Sequence, residues 1–116
     1  MEIEVNDYIR TKTGKIYTVK GINIYGDGDI HYLVKESIVY VRANKVVKHS
    51  KNIIDLIEVG DFVNGHKIII DLQKSKKHYN TENNFVTAVG YTFTEEEIKT
   101  ILTHEQYTQN AYRMEE

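Results

Sequence analysis

Basic side chains lie next to tyrosine in two segments of this 116-residue chain. Lysine and arginine contact phosphate oxygens, while a tyrosine ring stacks on a base or on a cation. The segment Lys74–Tyr79 holds three lysines, and the segment Arg10–Lys20 holds one arginine and three lysines around Tyr17. Period-two alternation places Arg10 and Lys12 on one strand face. The competing interpretations are a solvated hairpin tip for the first segment and edge-strand protection for the second.

A third polar group lies between Tyr25 and Tyr32, where Asp27, Asp29 and His31 alternate. Carboxylates and imidazole on one strand face are ligands for a divalent cation. However, Asp-Gly-Asp is also ordinary turn sequence, and an EF-hand loop needs more ligands. We favour the hairpin and predict no metal site. The candidate ligand-binding residues are Arg10, Lys12, Tyr17, Tyr25, His31, Tyr32, Lys74, Lys76, Lys77 and Tyr79.

The residue patterns of common active sites are missing from the sequence. There is no cysteine, which excludes disulfides, zinc–thiolate sites and a cysteine nucleophile. The five histidines show no i,i+4 pairing, and the sequence has neither a phosphate-binding glycine loop nor a Gly-x-Ser-x-Gly elbow. We therefore expect a protein that is not an enzyme and has no cofactor and no catalytic residues.

Composition indicates a folded protein of the cytoplasm. Hydrophobic residues make up 41% of the chain and charged residues 28%, as in ordinary globular proteins. No apolar run approaches the roughly 20 residues of a membrane span, and no signal peptide is visible, so we expect no membrane association. The net charge of −2 points to no particular partner. Nevertheless, residues 1–56 carry nine Lys and Arg against seven Asp and Glu, whereas residues 57–116 carry six against ten.

The elements that would position these residues begin with a repeated signature. Ile3–Ile9 recurs 54 residues later as Ile57–Val63, with four of seven positions identical, which indicates an internal duplication. In each copy, a turn leads into a strand, and a second turn then leads into a returning strand; Asn64-Gly65 is the stronger hairpin signal of the two. We predict a mainly β fold of two tandem SH3-like small barrel units with short helical turns, residues 1–56 and 57–116, packed as one globule.

The sequence also predicts two capped helical turns and one further strand. Ser50 is expected to cap a short helical turn over Lys51–Asp55 that joins the halves, and Thr103 has capping-box spacing for a turn near Glu105–Tyr107. For Ile98–Leu102 we predict a strand, because it mirrors the strand before Ser50. A longer helix from Glu95 competes with it, since Ile98, Ile101 and Leu102 also follow helical spacing.

Several of these segments resemble one group of proteins. The block Val46–Gly65, the start Val5–Thr11 and the end Ile98–Tyr107 are similar to recurrent segments of small uncharacterised proteins from phages and prophages of Gram-positive bacteria. The resemblance implies a phage origin, the host cytoplasm as location and an accessory role. It covers both ends and the middle of the chain, leaves Lys20–Asn44 and Asp71–Thr94 unmatched, and assigns no catalytic residue.

These observations predict a phage-encoded, non-enzymatic binding protein with a host-directed or counter-defence role. Its partner would be a small nucleotide signal, which it sequesters, or a host defence protein, which it inhibits. The alternatives are an SH3-like nucleic-acid-binding module and a structural or scaffold phage protein. A homo-oligomer is compatible with each of these functions.

Overall fold

The computed structural model describes residues 2–71, 85–90 and 92–110. The predicted basic segment Lys74–Tyr79 lies outside the described residues. The chain divides into two compact units, residues 1–56 (unit 1) and residues 57–116 (unit 2). The prediction of a mainly β protein is confirmed, since two antiparallel sheets account for most of the regular structure. Among the described residues, no helix has the length and apolar character needed to cross a membrane.

Unit 1 is a five-stranded antiparallel sheet in the order β4-β3-β2-β1-β5. One 3-10 turn, Ala43–Lys45, precedes β5, and another, Ile53–Leu56, follows it. Alternate strand residues point inward and form the core, of which Ile9, Val19 and Val34 are fully buried. The strands are β1 (Tyr8–Thr11), β2 (Ile16–Ile24), β3 (Ile30–Val34), β4 (Tyr40–Arg42) and β5 (Val46–Ser50).

Unit 2 repeats most of this topology. Its four-stranded sheet has the order β8-β7-β6-β9, which matches β3-β2-β1-β5 of unit 1 strand for strand. The 3-10 turn Glu95–Glu97 precedes β9 as Ala43–Lys45 precedes β5. The elements are β6 (Phe62–Val63), β7 (His66–Asp71), β8 (Phe85–Thr87), β9 (Ile101–Leu102) and the helix α1 (His104–Asn110).

The two copies of the repeated signature form the same turn. In unit 1, the buried Asp7 accepts a hydrogen bond from the amide of Glu4 at 2.9 Å, and the Asp7 amide donates back to the Glu4 carbonyl at 3.0 Å. In unit 2, Asp61 and Glu58 make the same two bonds at 2.8 and 3.0 Å. The intervening residue has positive φ in both copies, 77° at Asn6 and 99° at Gly60. The shared residues therefore specify a carboxylate-capped turn that feeds the first strand of each unit.

The predicted local features have different outcomes. Thr103 accepts a hydrogen bond from the Gln106 amide at the start of α1, as its capping-box spacing predicts. Ser50 accepts one from the Asn52 amide, but the helical turn is Ile53–Leu56 instead of Lys51–Asp55, so Ser50 lies three residues before its first residue. The long helix from Glu95 is wrong, because the helical turn ends at Glu97 and the backbone at Ile98 is extended. The strand expected there is confined to Ile101–Leu102. Neither sheet closes into a barrel within the described ranges.

Candidate functional site

A basic pocket of about 260 Å³ lies on unit 1 between the β1–β2 turn and β4. We call it the basic pocket. Four of its side chains are cationic and two are tyrosines, and no carboxylate lines it. The lining residues are Thr11, Lys12, Thr13, Lys15, Tyr17, Val39, Tyr40, Val41, Arg42 and Lys45.

The β1–β2 turn holds one wall of this pocket in a defined shape. The amide of Thr11 donates to the carbonyl of Lys15, and its hydroxyl accepts from the Lys15 amide at 3.1 Å. Gly14 has φ 84°, a backbone conformation that is unfavourable for other residues. This glycine therefore allows the turn to close tightly. Because Lys12 and Lys15 flank this turn, their side chains extend from a hydrogen-bonded backbone.

The opposite wall is built by β4 and the 3-10 turn after it. Tyr40 and Arg42 are two residues apart on β4, so their side chains leave the same face of the sheet. Lys45 ends the 3-10 turn, and its carbonyl accepts a hydrogen bond from the Lys12 amide at 2.9 Å. That bond connects the two walls of the pocket directly through the backbone.

The electrostatics of the pocket follow from this convergence. Lys12, Lys15, Arg42 and Lys45 are all exposed, and none of them forms an ion pair with a carboxylate of the described residues. Four like charges around one concavity raise the local positive potential even though the whole chain carries a net charge of −2. A phosphate group would relieve their mutual repulsion and accept hydrogen bonds from them.

A row of three aromatic rings continues from the pocket across the outer face of unit 1. Tyr40, which lines the pocket, stacks on His31 with ring centroids 4.1 Å apart and planes at 1°. His31 also contacts Tyr25, at 4.7 Å and 57°. Asp29 fixes the imidazole through a contact of 2.8 Å to Nε2. The Asp27 carboxylate in turn accepts a hydrogen bond from the Asp29 amide at 3.0 Å, which supports the hairpin interpretation of this segment.

The structure thus brings together four of the predicted site residues. Lys12 and Tyr17 line the pocket, while His31 and Tyr25 connect to it through Tyr40. Tyr40, Arg42 and Lys45 also belong to this surface and were not among the predicted residues. The period-two spacing of Tyr40 and Arg42 was the available signal.

Two predicted site residues lie elsewhere. Arg10 is fully buried, and its Nη1 donates to the carbonyl of Leu56 at 2.8 Å, so the expected exposed stripe with Lys12 is wrong at this position. The ladder shifts register between Arg10 and Thr11, which breaks the period-two alternation on which that expectation depended. Tyr32 is 6% exposed and packs in the core, on the face of β3 opposite His31; burial raises the pKa of its phenol.

Unit 1 also has a larger groove, of about 400 Å³, with a different character. Isoleucine and valine side chains dominate its lining, and Ile3, Ile22, Ile30 and Val46 among them are packed against the core. The groove is the partly open side of that core. It lacks the concentration of one charge sign that would select a polar ligand.

In unit 2, three side chains with metal-ligating atoms come together. Nε2 of His104 lies 2.8 Å from a Glu58 oxygen and 3.4 Å from a Glu105 oxygen. The three ligand atoms lie within 4.8 Å of one another. An imidazole hydrogen-bonded to carboxylates is a complete interaction without an ion, so we describe the group as a hydrogen-bonded cluster.

Comparison of the chain with protein-family models, with curated proteins and with solved structures finds no match.

Proposed function

We propose that the protein is a non-enzymatic binding protein whose basic pocket takes a phosphate-bearing nucleotide. The observation that carries this proposal is the lining of the pocket, where four cationic side chains and two tyrosines meet without a carboxylate. The cations supply contacts to phosphate oxygens, and a tyrosine ring supplies a stacking surface for the base. Neither contact requires a reacting group, which suits a protein that sequesters its ligand.

The biological setting of this proposal comes from the resemblance to phage and prophage proteins. A phage-encoded protein that sequesters a nucleotide signal would act against a host response, in the host cytoplasm. Inhibition of a host defence protein is the alternative within the same class, and it would leave the basic pocket without a small ligand.

A second candidate is an SH3-like nucleic-acid-binding module. The hairpin, the short strands and the 3-10 turn before β5 support this candidate, because a small SH3-like barrel would use the same kinds of element. The open side of the pocket and the row of rings next to it favour a ligand longer than one nucleotide. A scaffold role in the phage is the remaining alternative and makes no use of the pocket.

Calorimetric titration of the full chain with linear and cyclic nucleotides tests the proposal. We expect saturable binding of nucleotides and none of the corresponding nucleosides, because the phosphate supplies the main contact. Lys12→Ala and Arg42→Ala should each weaken binding about tenfold or more, since a hydrogen bond to a charged group contributes about 1.5–3 kcal/mol.

Lys20→Ala is the matched control. Lys20 is an exposed lysine on β2, within the predicted basic segment, but it does not line the pocket. Its removal should leave affinity unchanged. Equal losses for Lys12→Ala and Lys20→Ala would mean that only the general charge of unit 1 matters, and no heat with any nucleotide would remove the proposal.

A further inference from the structure

The row of rings beside the basic pocket specifies the class of ligand more closely. Tyr25 and Tyr40 are large aromatic residues that stay 48% and 47% exposed. His31 contacts both, and its own side chain is only 13% exposed. Each tyrosine therefore keeps ring surface available to solvent, while the imidazole that touches them is largely covered.

The backbone and side chains around these rings fix them in place. Tyr25 opens a turn in which its amide donates to the Asp29 carbonyl, and its own carbonyl accepts the Gly28 amide, both at 2.9 Å. Asp29 holds the imidazole of His31, and Tyr40 lies against it in parallel. Rings that are already ordered lose little conformational entropy when a base stacks on them.

One of the pocket's cationic side chains lies next to the row of rings. Arg42 lines the pocket and is also paired directly with His31 across the β3–β4 ladder. The same face thus carries the pocket cation Arg42 next to the contacting rings of Tyr40, His31 and Tyr25. A single nucleotide on Tyr40 would leave the exposed ring of Tyr25 without a ligand.

We infer that the ligand of this surface is a single-stranded nucleic acid, with one nucleotide in the basic pocket and the base of a neighbouring nucleotide on Tyr25. This inference depends on the proposed function, since it assigns the substrate class of the same pocket. A single strand is required because bases in a duplex are stacked on one another and have no face to offer a tyrosine. The pocket's cations track the phosphates, and the two tyrosines take the bases.

A length series of thymidylates tests the inference: the mononucleotide, the dinucleotide, the tetranucleotide, and a dinucleotide whose second residue lacks its base. Binding is measured by calorimetry on the full chain at fixed salt. We expect the second nucleotide to raise affinity about 5- to 150-fold, the range that stacking of one base supplies. The abasic dinucleotide should bind more weakly than the complete dinucleotide, because it keeps the added phosphate but has no second base to stack. The logarithm of affinity should fall linearly with the logarithm of salt concentration. The slope should be no steeper than about −3, because each of the four cations can contribute about −0.7 by neutralising one phosphate of a single strand.

Tyr25→Leu separates stacking from charge. It should reduce the gain from the second nucleotide to that of the abasic dinucleotide. Tyr107→Leu is the matched control, because Tyr107 is 51% exposed but belongs to unit 2. If nucleotides bind but length gives no gain, or if the gain survives Tyr25→Leu, the inference is overturned and the proposed function stands. If no thymidylate binds, the inference is overturned, and the titration with linear and cyclic nucleotides decides the proposed function separately.

Discussion

Substitution of Asp7 by asparagine should destabilise the protein in a pH-dependent way. Asp7 is 3% exposed, and its two carboxylate oxygens accept hydrogen bonds from different donors. Oδ2 accepts one from the Glu4 amide at 2.9 Å, and Oδ1 accepts one from the Lys51 ammonium at 3.1 Å. Burial acts to raise the pKa of this carboxyl, but the hydrogen bonds from Glu4 and Lys51, together with the charges of Lys51 and His49, outweigh burial and hold the pKa below its usual value.

The size of the effect follows from the lost acceptor. Asparagine has one carbonyl oxygen, so it can satisfy the Glu4 amide but then turns its own amide toward the Lys51 ammonium. Leaving the buried side chain at position 7 with a mismatched partner costs about 1–3 kcal/mol, and the exposed position of Lys51 lets water replace part of that loss. We therefore expect Asp7→Asn to lower the free energy of unfolding by about 1–3 kcal/mol at pH 7.

The pH dependence has a definite sign. A carboxyl whose pKa is depressed by folding stabilises the native state above its unfolded pKa of about 3.9, and this contribution is lost as pH falls through the folded pKa. The difference between wild type and Asp7→Asn should therefore be largest at neutral pH and shrink below about pH 4.

Urea unfolding followed by far-ultraviolet circular dichroism at pH 7 and pH 3 measures this difference. Asp27→Asn is the control, since Asp27 is exposed and only caps the turn through the Asp29 amide, and it should change stability by less than about 0.5 kcal/mol. A difference for Asp7→Asn that is the same at both pH values would refute the argument from ionisation.

Three further substitutions test the packing and turns by the same unfolding assay. Gly60→Ala should cost about 1–2 kcal/mol, because φ is 99° and the new Cβ would lie 3.4 Å from His104 Cβ, whereas Gly60→Asn should be milder, as the counterpart Asn6 has φ 77°; equal costs would contradict the equivalence of the two turns. Leu56→Ala should cost about 2–5 kcal/mol since Leu56 is fully buried, and a loss below 1 kcal/mol would contradict its place in the core. Glu97→Ala should cost about 0.5–1 kcal/mol by removing the acceptor of the Thr94 amide, and no change would mean that this exposed capping box is not maintained in solution.

Local sequence chemistry was enough to predict the hairpins and caps of the fold. The hairpin residues Gly14, Asn64 and Gly65 and the cap Thr103 act through their own backbone neighbours, so their effects can be inferred without a tertiary structure. Whether Ile98–Leu102 forms a strand or a helix was harder to predict, because the spacing of its apolar residues fits both structures. Pairing with β6, a long-range contact, makes Ile101–Leu102 a strand, while residues 98–100 lie outside it.

The candidate site was predictable only in part for the same physical reason. Lys12 and Tyr17 belong to one hairpin, which the sequence indicated, but Arg42 and Lys45 reach that hairpin through the backbone bond from Lys12 to Lys45, 33 positions apart. Arg10 was misplaced because a register shift after it moved the neighbouring side chains, and alternation alone contains no information about such shifts.

The most direct test of the basic pocket is an amide-resolved nuclear magnetic resonance titration of the full chain with the thymidylate tetranucleotide. We expect saturable shifts that are largest in the β1–β2 turn, residues 12–15, and from Tyr40 to Lys45, with smaller ones around Tyr25. Shifts concentrated in residues 57–116, or none at saturating concentration, would contradict the assignment of the ligand to unit 1.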